Sequence, residues 1–524
     1  MKDNTSDRRT TFLLLCLYMA LSLALFGYYQ HIHSKDEVNY ISIGEKLARG
    51  DFLNGPNAYW GPALPLLIAG FLRLGLPSII AAKIACVLVG AVAFFAIRAL
   101  SHRLVMTEGL RGLLLFLSVP AIVAGAYSAV NTDLMLASLL LLYFSLVFDP
   151  AYPQRPRAGW LCGALGAAAY LTKGFGFAFF LAHFTLFTIV HCTVNKTTRL
   201  RRGILANFGR GLLIFCGVAL AWGFVLNRKY HDPRVWIGIS GAYNYAIRGP
   251  AFQPLGAPST YAGFVRPPEG AVSIWEEPYY FLVRTETWSA FDSLWAFRQQ
   301  VKLVRDSVVN ILAFYGTFSA FWAAIVLGCL LLCIGPASDV PGKFALVAAL
   351  ATLGLYTAFY AALYSEERYM WPMGFLMLIM GGSILHLLLK TPLCAGTLRQ
   401  ALIVFAFSSS FLLHPVNMLV SRANKGRALY RLSERLRADR VGGRIASDGD
   451  YGASVVMAYH LGAVFYGHAK PGMSEAETIT ELRRHEVRYY LAWDERTPPV
   501  SSILHRINAF TEGERQLTLY AVGP

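Results

Sequence analysis

The sequence predicts an all-helical, polytopic membrane domain followed by a small α/β domain, and three observations predict it. Hydrophobic residues make up 55% of the 524 and charged residues only 15%, a balance too apolar for a soluble protein of several domains. Apolar runs long enough to cross a bilayer recur along the chain, with Lys and Arg gathered in the short loops between them. From about residue 420 the pattern changes to short β-type runs alternating with helical ones. In a soluble chain the formal charge of +16 would suggest nucleic acid. Here the basic loops set topology instead, and nothing resembles a nucleic-acid reading motif. The eight cysteines fall in or beside apolar runs without metal-ligand spacing, so no disulfide framework or zinc site follows.

Taken in order, Lys2, Arg8 and Arg9 precede an apolar run at about 11–29. It is long enough to span and lacks a small-residue cleavage site, which predicts an uncleaved first span with a cytoplasmic N-terminus. Residues 30–60 then lie outside. The segment 62–75 is apolar but short, carries Arg73 and is bracketed by Pro62, Pro65 and Pro77; it reads as a membrane-embedded or interfacial helix. Spans at about 78–97, 112–127, 132–148, 158–173 and 175–193 then place Arg98, Arg103, Arg111, Arg155, Arg157 and the Lys196–Arg210 cluster in the cytoplasm. A further crossing at 62–75 would invert all of them.

A span at about 211–227 leads to the longest polar insertion, 228–305, which contains Pro233, Pro250, Pro254, Pro258, Pro267 and Pro268. Its aromatic end, with Trp288, Phe291, Trp295 and Phe297 among Arg298, Lys302 and Arg305, predicts a helix lying in the interface. Spans at about 307–334, 344–363, 371–389 and 400–419 complete about eleven crossings and put the C-terminus outside. The expected division is a membrane domain over 1–419, with a first outer loop at 30–76, and an α/β domain over 420–524. In that tail, 444–448, 463–467, 488–493 and 516–522 read as strands, and 453–461 and 474–485 as helices. No Gly-rich phosphate loop opens the first helix.

Four sites at outer ends of spans carry charge: Asp36 with Glu37, Asp133, Lys173, and Glu366-Glu367-Arg368. A charge near a bilayer costs about 2.5–3.5 kcal/mol even on insertion scales, so such residues need partners or a task. Singly, Asp133 reads as a helix cap, Lys173 as a snorkelling lysine and Arg368 as an interfacial anchor. Together they make a polar outer cavity suited to a hydroxyl acceptor and a lipid phosphate donor. A carboxylate removes the acceptor proton while Arg and Lys stabilise charge on the departing phosphate.

Asp36, Glu37 and Tyr40, then Gly50-Asp51, Asp133 ahead of Leu134, Leu171-Thr-Lys-Gly174, and Glu367-Arg-Tyr369 before Pro372 resemble the signature of the GT-C glycosyltransferases. The match is to the bacterial branch with protein O-mannosyltransferases and the aminoarabinose transferase of lipid A. The resemblance implies a polyprenyl-phosphate-linked sugar donor and an inverting single displacement on the outer face of the cytoplasmic membrane. The acceptor would be a glycolipid, polysaccharide or protein. It implies Asp36 as base, with Glu37 and Asp133 as further acidic residues of the site. Arg368, Lys173 and Tyr369 become candidates for donor phosphate, and Tyr40, Tyr59 and Trp60 for substrate binding. In the aminoarabinose branch a Lys-Pro-Pro segment follows the first loop; here Tyr59-Trp-Gly-Pro-Ala-Leu-Pro65 has no lysine. A divalent metal is left open, because relatives differ. Asp36, Glu37, Asp133, His31 and His33 offer ligand types without metal-site spacing. The competing class, a transporter or flippase, would carry charges or Pro/Gly breaks at mid-span and a repeated half.

Overall fold

The computed structural model describes residues 3–246, 263–284, 288–334, 342–470, 472–493, 503–513 and 515–523. The chain opens with α1 (Asp3–Leu25), then α2 (Lys35–Ala48), α3 (Ala63–Arg73) and α4 (Ser78–Ser101). With 11 residues, α3 is about 16 Å long, roughly half the thickness of a bilayer core. Near the end of α4, Arg98 Nε donates to Thr11 Oγ1 at 2.9 Å and the guanidinium pairs with Asp7, both near the start of α1. The two helices therefore run antiparallel, as expected if 62–75 does not cross.

Next come α5 (Glu108–Tyr127), α6 (Asp133–Val147), α7 (Pro156–Thr172), α8 (Phe175–Val194) and α9 (Thr198–Tyr230). A β-carbon at Gly163 would lie 2.3 Å from the Gly211 carbonyl oxygen, so α7 and α9 touch backbone to backbone, a device of membrane helix pairs. The long insertion contributes α10 (Ser240–Ala246), β1 (Gly263–Phe264) and α11 (Tyr279–Arg284). Residues 247–262, with Pro250, Pro254 and Pro258, and residues 285–287 lie outside the described residues.

One expectation about the following stretch changes. The expected span at 307–334 is two helices, α12 (Leu294–Phe318) and α13 (Trp322–Ile334), meeting at 98°. Ser319 between them is extended (φ −159°, ψ 132°); its hydroxyl accepts the Phe321 N–H at 3.1 Å and bonds Ser410 at 2.9 Å, a local cap that competes with continuation of the helix. The aromatic and basic run Trp295–Arg305 forms the first turns of α12, continuous with the apolar run that follows. Then follow α14 (Lys343–Ala361), α15 (Trp371–Leu388) and α16 (Thr397–Arg422).

All eleven expected runs are helical, the one at 307–334 with a break at Ser319. Among the described residues eight helices are long and apolar enough to cross a membrane, or nine with the bent pair taken as one. The remaining two, α6 with 15 residues and α7 with 17, are shorter.

The tail begins with α17 (Arg427–Ala438), which buries Leu429, Leu432 and Leu436 and turns its arginines outward. After it come β2 (Arg444–Ser447), α18 (Tyr451–Leu461), β3 (Val464–His468), α19 (Glu475–Arg484), β4 (Tyr489–Trp493), β5 (Leu504–Glu512) and β6 (Arg515–Val522). The sheet order is β1-β3-β2-β4-β6-β5, with β2 parallel to both neighbours and β5, β6 and β1 joined antiparallel. Strand β5 has no sequence signal because only Leu504 and Phe510 of it are buried. Strand β1 comes from the long insertion, more than 170 positions upstream, so the membrane part and the tail share one sheet. Tyr459 of α18 donates to Glu45 of α2 at 2.8 Å.

Candidate active site

Helix α2 starts at Lys35 because Ser34 before it is extended and accepts the Asp36 N–H at 3.2 Å. Asp36 and Glu37 then occupy the first turn, where the helix dipole favours carboxylates. Consecutive helical positions point about 100° apart, and the two carboxylates part company. The Asp36 side chain is 17% exposed. Its Oδ1 accepts the indole N–H of Trp275 at 3.0 Å and its Oδ2 a guanidinium N–H of Arg368 at 3.2 Å.

Glu37 is fully buried, 3.3 Å from Lys83 Nζ and 2.9 Å from His33 Nδ1. Burial pushes its carboxyl up, but Lys83 and His33 outweigh that and hold it down at about 2. The structure thus corrects the expectation that both carboxylates face the reaction space: Glu37 is the buried counter-ion behind Asp36.

Arg368 gathers three acids. Besides Asp36, its Nε lies 2.7 Å from Glu366 and 3.4 Å from Asp133. Asp133 opens α6, its N–H held by the Asn131 side chain at 3.0 Å, and its other oxygen lies 2.6 Å from Lys173 Nζ. Lys173 ends α7 in an extended conformation and sits 3.3 Å from the centroid of the Tyr369 ring, a cation–π contact. The carboxylates of Asp36, Asp133 and Glu366 share the cations of Arg368 and Lys173.

These groups surround a cleft of about 450 Å³, counting the part open to solvent, whose walls include Tyr40, Tyr59, Trp60, Thr172, Ser240 and Asn244. Every predicted site residue except Glu37 lines it. Tyr40 bonds Thr132 at 3.1 Å, and Trp60 stands edge-on to Tyr40 at 5.1 Å and to Trp275 at 5.6 Å. Burial pushes the Tyr40 and Tyr59 phenols up, with Asp36 adding to the effect on both, so both are neutral hydroxyls. Gly61 rests on the turn that carries Lys173: a β-carbon there would lie 2.4 Å from the Thr172 carbonyl oxygen and 2.5 Å from that of Leu171.

Asp36, Asn131 and Arg368 also line a second, larger chamber of about 1240 Å³, again open to solvent, bounded by Arg422, Lys425 and, from the tail, Asp450 and Arg515. Through Trp371 and Met418 this chamber adjoins an apolar groove of about 530 Å³ containing Phe318, Phe375 and Phe411. The Asp36–Arg368 pair therefore stands between two spaces.

Sequence reasoning missed Trp275, Asn131, Ser240, Asn244 and the position of Glu366. Asn131 and Glu366 were within reach, two residues from Asp133 and from Arg368. Trp275 is 239 positions from Asp36, in a loop without periodicity, and only the fold brings it near. The remaining candidates lie elsewhere. Asp51 caps its own turn through Asn54 at 3.0 Å, and His31 stacks on Tyr430 at 5.0 Å. Among the described residues no three His, Cys, Asp or Glu side chains are grouped to hold a metal ion. Asp36, Asp133 and Glu366 converge on the Arg368 guanidinium instead.

No protein-family model matches the chain, and no curated protein matches it in sequence. Solved structures match its shape. ArnT from Cupriavidus metallidurans bound to undecaprenyl phosphate superposes with a TM-score of 0.58 at 13% identity, over 97% of this chain and 99% of that one. The Archaeoglobus fulgidus oligosaccharyltransferase in complex with Zn and sulfate gives 0.54 at 12% identity, over 92% and 68%. The archaeal oligosaccharyltransferase AglB from the same organism, with an inhibitory peptide and a dolichol-phosphate, gives 0.50 at 10% identity, over 92% and 69%. The chain has the GT-C fold that these proteins share.

Proposed function

We propose, from the GT-C fold and the cleft together, that the chain is a membrane glycosyltransferase that moves a sugar from a polyprenyl-phosphate donor to an acceptor hydroxyl. The observation that carries this is the convergence of Asp36, Asp133, Lys173 and Arg368, from four distant segments, in one aromatic-walled cleft at the end of a helical bundle. ArnT with undecaprenyl phosphate and AglB with a dolichol-phosphate support a lipid-phosphate donor.

In this reading the donor sugar lies in the smaller cleft against Tyr40, Tyr59 and Trp60, with its phosphate on Arg368 and Lys173. The phosphate exchanges with Asp36 on the guanidinium and frees the Asp36 carboxylate. The acceptor reaches Asp36 from the larger chamber. Asp36 takes the hydroxyl proton, the acceptor oxygen bonds to the anomeric carbon, and the bond from that carbon to the phosphate oxygen breaks, its electron pair leaving with polyprenyl phosphate. Attack opposite the leaving group inverts the anomeric centre. The phosphate needs no proton to leave, so one carboxylate at the acceptor suffices. Among glycolipid, polysaccharide and protein acceptors, the apolar groove beside the larger chamber favours a glycolipid.

The basic loops of the sequence put the N-terminus in the cytoplasm, and the cleft and tail domain on the outer face of the cytoplasmic membrane. The test is mass spectrometry of lipid co-purifying with the wild type and with Asp36→Asn. A polyprenyl-phosphate sugar trapped on the variant supports transfer and identifies the sugar. A small solute bound near mid-membrane, with no such lipid, would favour a transporter.

A further inference from the structure

One partner of Asp36 comes from far along the chain and is fastened more firmly than a surface loop requires. Residues 263–273 run along the edge of the tail sheet: Gly263 and Phe264 pair with His468 and Gly467, Val265 N–H donates to the Tyr466 carbonyl at 2.8 Å, and Phe465 N–H to that of Val272 at 2.8 Å. Ser273 forms a further bridge with Phe465. Two residues on, Trp275 is 6% exposed and gives its indole N–H to Asp36. The residues behind it are bolted to the membrane part. Glu276 pairs with Lys46 at 2.5 Å, both buried, and its carbonyl takes the Asn57 amide at 2.6 Å; Glu277 pairs with Lys229 and accepts Tyr230 OH at 2.6 Å. The Trp275 carbonyl accepts the Asn39 amide at 3.3 Å, and Lys35 Nζ lies 4.5 Å from its ring centroid.

Buried ion pairs contribute little net stability, yet breaking one is costly, so they specify placement more than they stabilise. One such pair, Lys46–Glu276, and a half-buried one, Lys229–Glu277, follow the residue that touches Asp36. A carboxylate on the first turn of a helix has two rotatable bonds. Here Trp275 holds one oxygen and Arg368 the other, which sets the carboxylate plane. When donor phosphate occupies Arg368, Trp275 is left as the donor that keeps Asp36 aimed. Each oxygen has a second lone pair, so the indole bond leaves room for the acceptor proton.

We infer that Trp275 is a positioning residue for Asp36, and that the tail domain, through the strand it shares with the long insertion, holds Trp275 in place. This gives the tail a part in turnover beyond whatever it binds. The inference rests on the transferase reading of Asp36.

The test uses full-length protein in lipid nanodiscs, with undecaprenyl phosphate as the binding probe and the sugar lipid trapped on Asp36→Asn as the donor. Trp275→Phe keeps a ring and removes the N–H. Expected are a fall in kcat of about ten- to a hundredfold, as for a hydrogen bond to a charged group, with KM for donor and undecaprenyl phosphate binding within twofold of wild type. In the Asp36→Asn background the same change should cost nothing further. Gly467→Ala places a β-carbon 2.5 Å from the Gly263 carbonyl oxygen. It should lower kcat with the same KM signature and speed hydrogen exchange at the Val265 amide. Wild-type turnover with an unchanged kcat for Trp275→Phe, or equal losses in kcat and donor binding, overturns the inference alone. No turnover by the wild type overturns the transferase reading and this inference with it.

Discussion

On one face of α2, Asp36 meets Trp275, Arg368 and solvent-filled space; on the other, Glu37 meets Lys83 and His33 and no solvent at all. Both are carboxylates in ion pairs, adjacent in the chain. The difference is access. At Asp36 an incoming anion has room to take over the guanidinium. Nothing can reach Lys83, so the Glu37 pair has no second state. An exchangeable ion pair suits chemistry, and a dry one suits the placing of a helix.

Substitutions at the two positions should separate these roles. Asp36→Asn is expected to lower transfer by about 10²–10⁴-fold, the range of a general base, with the melting temperature unchanged. Full transfer by a well-folded variant would remove Asp36 from the mechanism. Glu37→Gln leaves Lys83 buried without a counter-ion and should cost about 3–5 kcal/mol of stability, read as a lower melting temperature, while folded protein still binds undecaprenyl phosphate. A melting temperature equal to wild type would erase the contrast.

The same pair predicts a pH dependence. The folded carboxyl of Glu37 lies at about 2, below its ordinary 4.5, so its stabilisation is complete above pH 4.5 and disappears as pH falls toward 2. Melting curves across that window should show the loss in wild type and a smaller one in Glu37→Gln.

Two further changes sharpen the picture on the cleft side. Arg368→Ala should raise KM for the donor by about ten- to a hundredfold and that for the acceptor much less. Equal effects on both would argue against phosphate contact. Gly61→Ala meets the Leu171 and Thr172 carbonyls and should shift Lys173, with a few-fold loss in donor use and little change in acceptor KM.

Much of the bundle was legible because burial in lipid imposes a simple rule: long apolar runs become helices, and Pro or short length marks those that do not cross. The candidate site was legible one residue at a time. Asp36, Asp133, Lys173 and Arg368 each stand at a span end, where an unexplained charge shows. The break at Ser319 was not, since a single hydroxyl cap redirects an otherwise continuous apolar run. Strand β5 was not, because an edge strand that buries two side chains has no alternation to read.

By itself the sequence determined that this is a multi-span helical protein with charged span ends and a mixed α/β tail, because hydropathy and period are local properties of the chain. Tertiary structure alone decided which charges share a space. It turned Glu37 away from Asp36, brought Trp275 across 239 positions to it, and threaded part of the long insertion into the tail sheet. Side-chain direction and long-range pairing depend on what packs against each element, and packing is not a property of any one segment.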